Sequence, residues 1–528
     1  MLILYNAKIY TLDEAQPNAT ALAIQSGRII AVGSDFEVLS HYGRGALRRE
    51  MGGAVIWPGL TDAHIHLQNY ALGLAKVDCE TATREECLRR VAERARVTPP
   101  GAWILGHGWN QNLWPEGFGT AADLDAVSAG HPVYLTAKSL HAAWANSAAL
   151  AAAGVNEHTP DPPDGRLERH ASGRPTGILF EGAVRLIEKV IPRPSVEEIA
   201  AAIEASQTSL WSMGVTAVHD FDRRDCFAAL QQLRERGRLH LRVLKSIPLE
   251  DLPHAVELGL RSGLGDDLLR VGGVKIFADG ALGPRTAAML QPYEGEDSYT
   301  GMLMLDAEEI LAHGRAAVET GLSLAIHAIG DRANHEVLEA FAQLRAYERE
   351  RNLPPLRHRI EHVQVIHPHD LGRLARLGII ASMQPLHATS DMVMAERHWG
   401  ERAKLSYAWR SLLDQGTKMA FGSDAPVEVP NPFWGLHAAV TRRSRDGSPG
   451  EEGWMPEQRI RLDEALRAYT IGAAYAAGWE DRAGRLAPGY FADLLVLDRD
   501  PFLMPPAELY AAQPVATMVA GEWVWQRG

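Results

Sequence analysis

Ala54-Val55-Ile56-Trp57-Pro58-Gly59-Leu60-Thr61-Asp62-Ala63-His64-Ile65-His66 sets two histidines one residue apart at the end of an apolar, strand-like run. Successive side chains of a strand point to opposite faces. His64 and His66 therefore project from one side, within reach of a single ion, while Ile65 turns into the packing. The chain holds 21 histidines, so one His-x-His pair is a two-ligand hint whose remaining ligands must be found elsewhere.

Downstream of this run, short apolar stretches alternate with helical ones, the pattern of repeated βα units and a parallel sheet. Candidate strands end near His64, His219, Ile247, Phe277, His327, His362, Gln384 and Asp424. Eight such strands predict an α/β fold, a closed (β/α)8 TIM barrel whose site lies at the C-terminal strand ends. Both termini read instead as short alternating strands, such as Leu2-Ile3-Leu4-Tyr5 and Leu494-Leu495-Val496-Leu497. Neither end alone buries a core, which predicts one discontinuous β-sandwich from residues 1–55 and 483–528 around a barrel spanning 56–482. The long interval after the first barrel strand predicts an inserted subdomain over about 70–200.

Composition narrows the class. Hydrophobic residues make up 46% and charged residues 23% of 528, ordinary values for a soluble globular chain. The net charge of −13 provides no basic field for nucleic acid or anionic lipid. Cys79, Cys87 and Cys226 lack paired spacing, so neither a disulfide framework nor a thiolate zinc site is expected. With no export segment and no long apolar run, a cytoplasmic protein is expected. Its expected partners are a small-molecule substrate and a second copy of itself in a homodimer, with no nucleic acid and no membrane.

Beyond the His-x-His pair, the strand ends present Lys275, His327, His362 and Asp424, each closing a different apolar run. His327 or His362 alone reads as a satisfied core histidine; together, at one barrel mouth, the set reads as ligands. Lys275 lies between Val274 and Ile276, where an unpaired ammonium costs several kcal/mol. The open resolutions are a lysine that snorkels to solvent or pairs with Asp279, or one carboxylated to a carbamate that bridges two cations.

Further segments join this pattern: Pro58-Gly59-Leu60-Thr61-Asp62-Ala63-His64-Ile65-His66, His141-Ala-Ala-Trp144, Val274-Lys275-Ile-Phe-Ala-Asp279-Gly280, His327-Ala-Ile-Gly-Asp331, Glu361-His362, and Gly422-Ser-Asp424-Ala-Pro. Along essentially the whole chain they resemble the amidohydrolase superfamily, in its amidohydrolase-3 branch of YtcJ-like and N-substituted formamide deformylase-like proteins. The resemblance implies that His64, His66 and Asp424 hold one divalent ion and His327 and His362 a second, with carbamylated Lys275 between them. Two zinc ions per chain are the expectation, with iron, manganese and cobalt open. It further implies hydrolysis of a non-peptide C–N bond, in an amide or N-substituted formamide, with Asp424 as general base and acid. Two alternatives stand beside it: a mononuclear-metal deaminase on the same barrel, and a non-catalytic binding or scaffold protein.

Substrate contacts are expected from His107, Trp109 and His141 in the inserted segment and from His219, Asp279 and Arg285 at the barrel mouth. For His219 a role behind the ligands is equally open. His358 is expected to be structural, and Glu361 to point away from His362 towards the surrounding helices.

Overall fold

The computed structural model describes residues 1–111, 113–137, 142–163 and 165–528; His141 lies outside the described residues. Its largest sheet has eight strands, β1 (Leu60–Ile65), β2 (Val215–Asp220), β3 (Arg242–Pro248), β4 (Leu269–Phe277), β5 (Leu324–Ala328), β6 (Arg359–His362), β7 (Ile380–Met383) and β8 (Met419–Phe421). They lie side by side in sequence order, and every recorded pairing is parallel, from His219 opposite Leu244 to Ser382 opposite Ala420. The ring closes where Ile65 bridges Ala425, just beyond β8. There His66 N donates to Ala425 O at 2.9 Å, and Asp424 N donates to His64 O at 2.7 Å. This is the predicted barrel, with strands buried on both faces, as their near-continuous apolar runs require.

Helices between the strands obey local signals. The helix Ala307–Thr320 opens on a capping box formed by Asp306 and Glu309, and closes on Gly321 in the left-handed region at φ 87°. Its buried Ile310, Leu311, Ala317 and Val318 pack towards the barrel core.

Strands from the two termini share a sheet: Val55–Pro58 runs antiparallel to Leu494–Leu497, with Trp57 opposite Leu495. A second, four-stranded sheet is built from residues 2–50. Leu4, Ile9, Leu22, Ile24, Ile56, Leu494, Val496 and Met518 bury one another in a common core. Buried Arg242 at the start of β3 grips Asp493 of the C-terminal segment through Nε and Nη2. The paired fork geometry makes this a specific, desolvated tie.

Residues Ala71–Ala202 form a compact unit of their own. Its six strands run in the order Gly165–Arg169, Pro175–Glu181, Ala142–Ala145, Val133–Ala137, Ile104–Trp109 and Val77–Asp78. Trp109, Trp114 and Trp144 anchor its core, with ring centroids 6.1 and 6.0 Å apart in succession. Among the described residues, no helix is long and apolar enough to cross a membrane.

Candidate metal centre

The close approach of β1 to the end of β8 is arranged by small and polar groups. A Cβ on Gly422 would lie 2.4 Å from His64 N, so this crossing requires glycine. Asp62 accepts from Ser423 N at 2.9 Å and Ser423 Oγ at 2.5 Å, tying the two strand ends. Asp424 then takes a left-handed backbone, φ 60°, a region that aspartate tolerates better than most residues. Its Oδ1 lies 3.5 Å from Nε2 of His64 and 3.5 Å from Nε2 of His66.

Each histidine is held by its other nitrogen. His64 Nδ1 meets Glu361 Oε2 at 2.7 Å. His66 Nδ1 meets Asp222 Oδ1 at 3.2 Å, His362 Nδ1 meets Gln384 Oε1 at 2.9 Å, and His327 Nε2 meets Gly280 O at 2.9 Å. A partner of this kind fixes ring and tautomer and leaves the opposite nitrogen as a lone-pair donor. The rings cluster accordingly: His64 and His362 centroids are 4.9 Å apart, and His362 and His327 4.6 Å apart.

The donor set fits a divalent ion. Buried His64 Nε2 has no hydrogen-bond partner, an arrangement that is costly unless something accepts its lone pair. Burial, reinforced by neighbouring positive groups, holds His64 and His362 well below the usual histidine range, and His327 falls to about 3. These imidazoles are therefore neutral, the form that binds metals. At His66 burial opposes charge, but the hydrogen bond and charge of Asp222, joined by Asp424, leave its pKa above the usual value. Lys275 is buried with its Nζ over the rings of Phe221 and Phe277, 4.6 and 4.8 Å from their centroids. Burial lowers its pKa to about 8.

Glu361 corrects an expectation. The strand alternation places it opposite His362, but His362 and Val363 have φ of 78° and 43°, which breaks the alternation at the end of β6. Both Glu361 and His362 consequently reach His64. Glu361 also takes two contacts from Arg359, which donates to Ala63 O at 2.6 Å, Ser382 Oγ at 2.5 Å and His219 Nδ1 at 2.8 Å. His219 belongs to this buried network behind the histidine cluster.

Asp279 is also a positioning group. Its carboxylate accepts from Ile329 N, Ala288 N and Gly330 N at 3.0, 2.9 and 2.8 Å, stapling the loops after β4 and β5 beneath His327. Burial raises its pKa to about 7 against the pull of those three N–H groups. The Arg285 guanidinium forms an exposed ion pair with Glu296 at 2.6 Å. In the inserted unit, Trp109 is a core residue whose indole donates to Leu135 O at 2.8 Å, not a ligand-facing ring. His107 Nδ1 lies 2.8 Å from Thr136 Oγ1. His358, as expected, is structural: it stacks on Phe341 and pairs with Glu348 Oε1 at 3.1 Å.

Asp222, Gln384 and His387 join the site without having been anticipated. Asp222 accepts from Gln68 N at 2.6 Å and Asn69 Nδ2 at 3.0 Å besides His66, fixing the first turn of the helix Leu67–Leu74 that follows β1. A signal existed, for His219-Asp220-Phe221-Asp222 and Gln384-Pro385-Leu386-His387 both leave strand ends on the mouth side.

The YtcJ protein of Bacillus subtilis is 33% identical over 98% of this chain and 98% of its own. The N-substituted formamide deformylase of Arthrobacter pascens is 31% identical over 100% and 98%. An uncharacterized metal-dependent hydrolase from Pyrococcus furiosus has a crystal structure that superposes with a TM-score of 0.79 at 30% identity, covering 95% of this chain and 99% of that one. Residues 51–525 match the amidohydrolase-3 model, described as the Amidohydrolase family, and the chain belongs to that family.

Proposed function

We propose that this metal-dependent hydrolase cleaves a non-peptide C–N bond in a small molecule, an amide or N-substituted formamide, with Asp424 carrying the proton. The observation behind this reading is the placement of Asp424: one carboxylate oxygen lies 3.5 Å from both His64 Nε2 and His66 Nε2, and the other lies 3.9 Å from His387 Nε2. The likeness to the Arthrobacter pascens deformylase supports a formamide among possible amides.

His64, His66 and Asp424 would hold one divalent ion and His327 and His362 a second, with Lys275 as its carbamate between them; zinc is the proposed metal. Such an ion supplies hydroxide near neutral pH, because it lowers the pKa of a bound water to about 7. Asp424 takes the proton released as water adds to the carbonyl carbon and returns it to the departing nitrogen. Glu361 and Asp222 keep His64 and His66 oriented throughout. Asp424→Asn is the test. On protein reconstituted to the same metal content as wild type, turnover of an N-alkylformamide and amide panel should fall by at least about 10²-fold, the lower bound for general acid–base catalysis. Full turnover by that variant would remove Asp424 from the proton path.

A single-ion reading draws on one observation, since donor atoms of His64, His362 and Asp424 all lie within 4.8 Å of one another. Metal per chain separates the two: about two ions favour the bridged pair, and about one favours the mononuclear site.

A further inference from the structure

His387 stands beside this centre with a nitrogen that none of the roles above uses. It is the third residue of the helix Pro385–Trp399 that follows β7. Its side chain is 7% exposed, and its Nε2 lies 3.9 Å from Asp424 Oδ2. That separation exceeds a hydrogen bond, and buried Nε2 has no partner. The ring is held from behind: Gln364 Nε2 lies 3.3 Å from its Nδ1, and the His362 ring is nearly parallel to it at 15°, with centroids 6.1 Å apart. With the Gln364 amide donating to Nδ1, the imidazole proton sits on Nε2. Burying such a donor unpaired is costly, so its position beside Asp424 calls for an acceptor that arrives with the substrate.

We propose that His387 is a further catalytic residue, whose Nε2–H donates a hydrogen bond to the carbonyl oxygen of the scissile amide and to the oxyanion formed from it. Asp424 divides its carboxylate to suit this, with Oδ1 towards His64 and His66 and Oδ2 towards His387. As the hydroxide oxygen bonds to the carbonyl carbon, the C=O π pair moves onto oxygen, where the Nε2–H meets it. When that pair returns, the C–N bond breaks and the nitrogen leaves with the proton carried by Asp424, giving a carboxylic acid and an amine. The assignment rests on the hydrolytic reading of the site. A neutral donor aimed at developing charge contributes because it is in place before the charge appears, and removing one such donor typically costs about 10²–10³ in kcat.

The test compares full-length, cobalt-loaded wild type with His387→Phe, which keeps a ring beside His362, and His387→Gln, which restores an N–H donor. Methylphosphonate, a tetrahedral anion, is titrated against the cobalt absorption band, and kinetics are measured on the amide and formamide panel. Cobalt content and near-ultraviolet circular dichroism should match in all three proteins. Methylphosphonate should bind wild type and bind His387→Phe at least about tenfold more weakly, with His387→Gln between them; kcat should fall about 10²-fold or more in His387→Phe with KM little changed. Equal methylphosphonate affinity in wild type and His387→Phe, no binding to wild type, or loss of cobalt from His387→Phe would each overturn the assignment. If wild type turned over nothing while methylphosphonate binding still depended on His387, the hydrolytic reading would fall and the donor would stand.

Discussion

Glu361 Oε2 lies 2.7 Å from His64 Nδ1, and both side chains are closed to solvent. The contact joins β6 to β1 across the barrel interior and turns His64 Nε2 towards Asp424. A carboxylate in this position orients a ligand and raises its basicity, and the loss of such a partner typically costs 10–100-fold in metal affinity. Glu361→Gln is expected to weaken zinc binding by about that factor in competition with a chromogenic chelator. It also strands the Arg359 guanidinium in the core, so denaturant melts should show a loss of about 3–5 kcal/mol. Unchanged zinc affinity would mean that His64 is oriented by something else.

Metal removal should be felt by the fold. Binding to the native state alone stabilises by about 2.7 kcal/mol when the ligand is at 100 times its Kd. Protein stripped with a chelator is expected to melt at lower temperature, and zinc should restore the melt. The double variant His64→Ala/His66→Ala should show no zinc-dependent shift. A shift of wild-type size in the double variant would place the binding elsewhere.

Trp109 tests packing against recognition. Its ring packs tilted against Trp114 and edge-on to Phe118 in the inserted unit. Trp109→Ala should cost about 3–5 kcal/mol, as large-to-small aromatic changes in cores do, while Trp109→Phe keeps most of the volume and should leave KM unchanged. A raised KM in a stable Trp109→Phe protein would return this residue to the substrate.

His437 contributes a pH dependence remote from the metal ligands. Burial, with Arg443 and Arg445 nearby, lowers its pKa to about 4, and its ring meets Tyr510 edge-on at 5.2 Å. The folded value lies below the unfolded one, so the unfolded chain binds the extra proton first as pH falls. The contribution of neutral His437 is therefore complete above about pH 6.5 and is lost between about 6.5 and 4. His437→Phe should flatten the decline in unfolding free energy across that window; a decline equal to that of wild type would show that other groups cause it.

The barrel was legible because burial of both strand faces writes itself into the chain as short apolar runs, and the mouth side follows from strand direction. His64, His66, Lys275, His327, His362 and Asp424 all close or follow such runs, so a one-dimensional pattern gathers them. Glu361 was misread because alternation along a strand assumes extended backbone to its end, and the left-handed turn at His362 and Val363 breaks that assumption. Nearness in sequence to a motif says nothing about whether a guanidinium finds Glu296 or a ring finds a core, as Arg285 and Trp109 do.

Periodicity along the chain predicts the (β/α)8 architecture, and the family is legible only as a resemblance of the motifs at the strand ends to those of known proteins, since both depend on patterns that each strand carries locally. The orientation of His64 by Glu361, the bond of Asp222 to His66 and the unpartnered Nε2 of His387 beside Asp424 are long-range facts. They join residues up to 297 positions apart and depend on the ring that closes between Ile65 and Ala425. Such contacts are set by packing and strand-end geometry in three dimensions, and no local pattern in the chain encodes them.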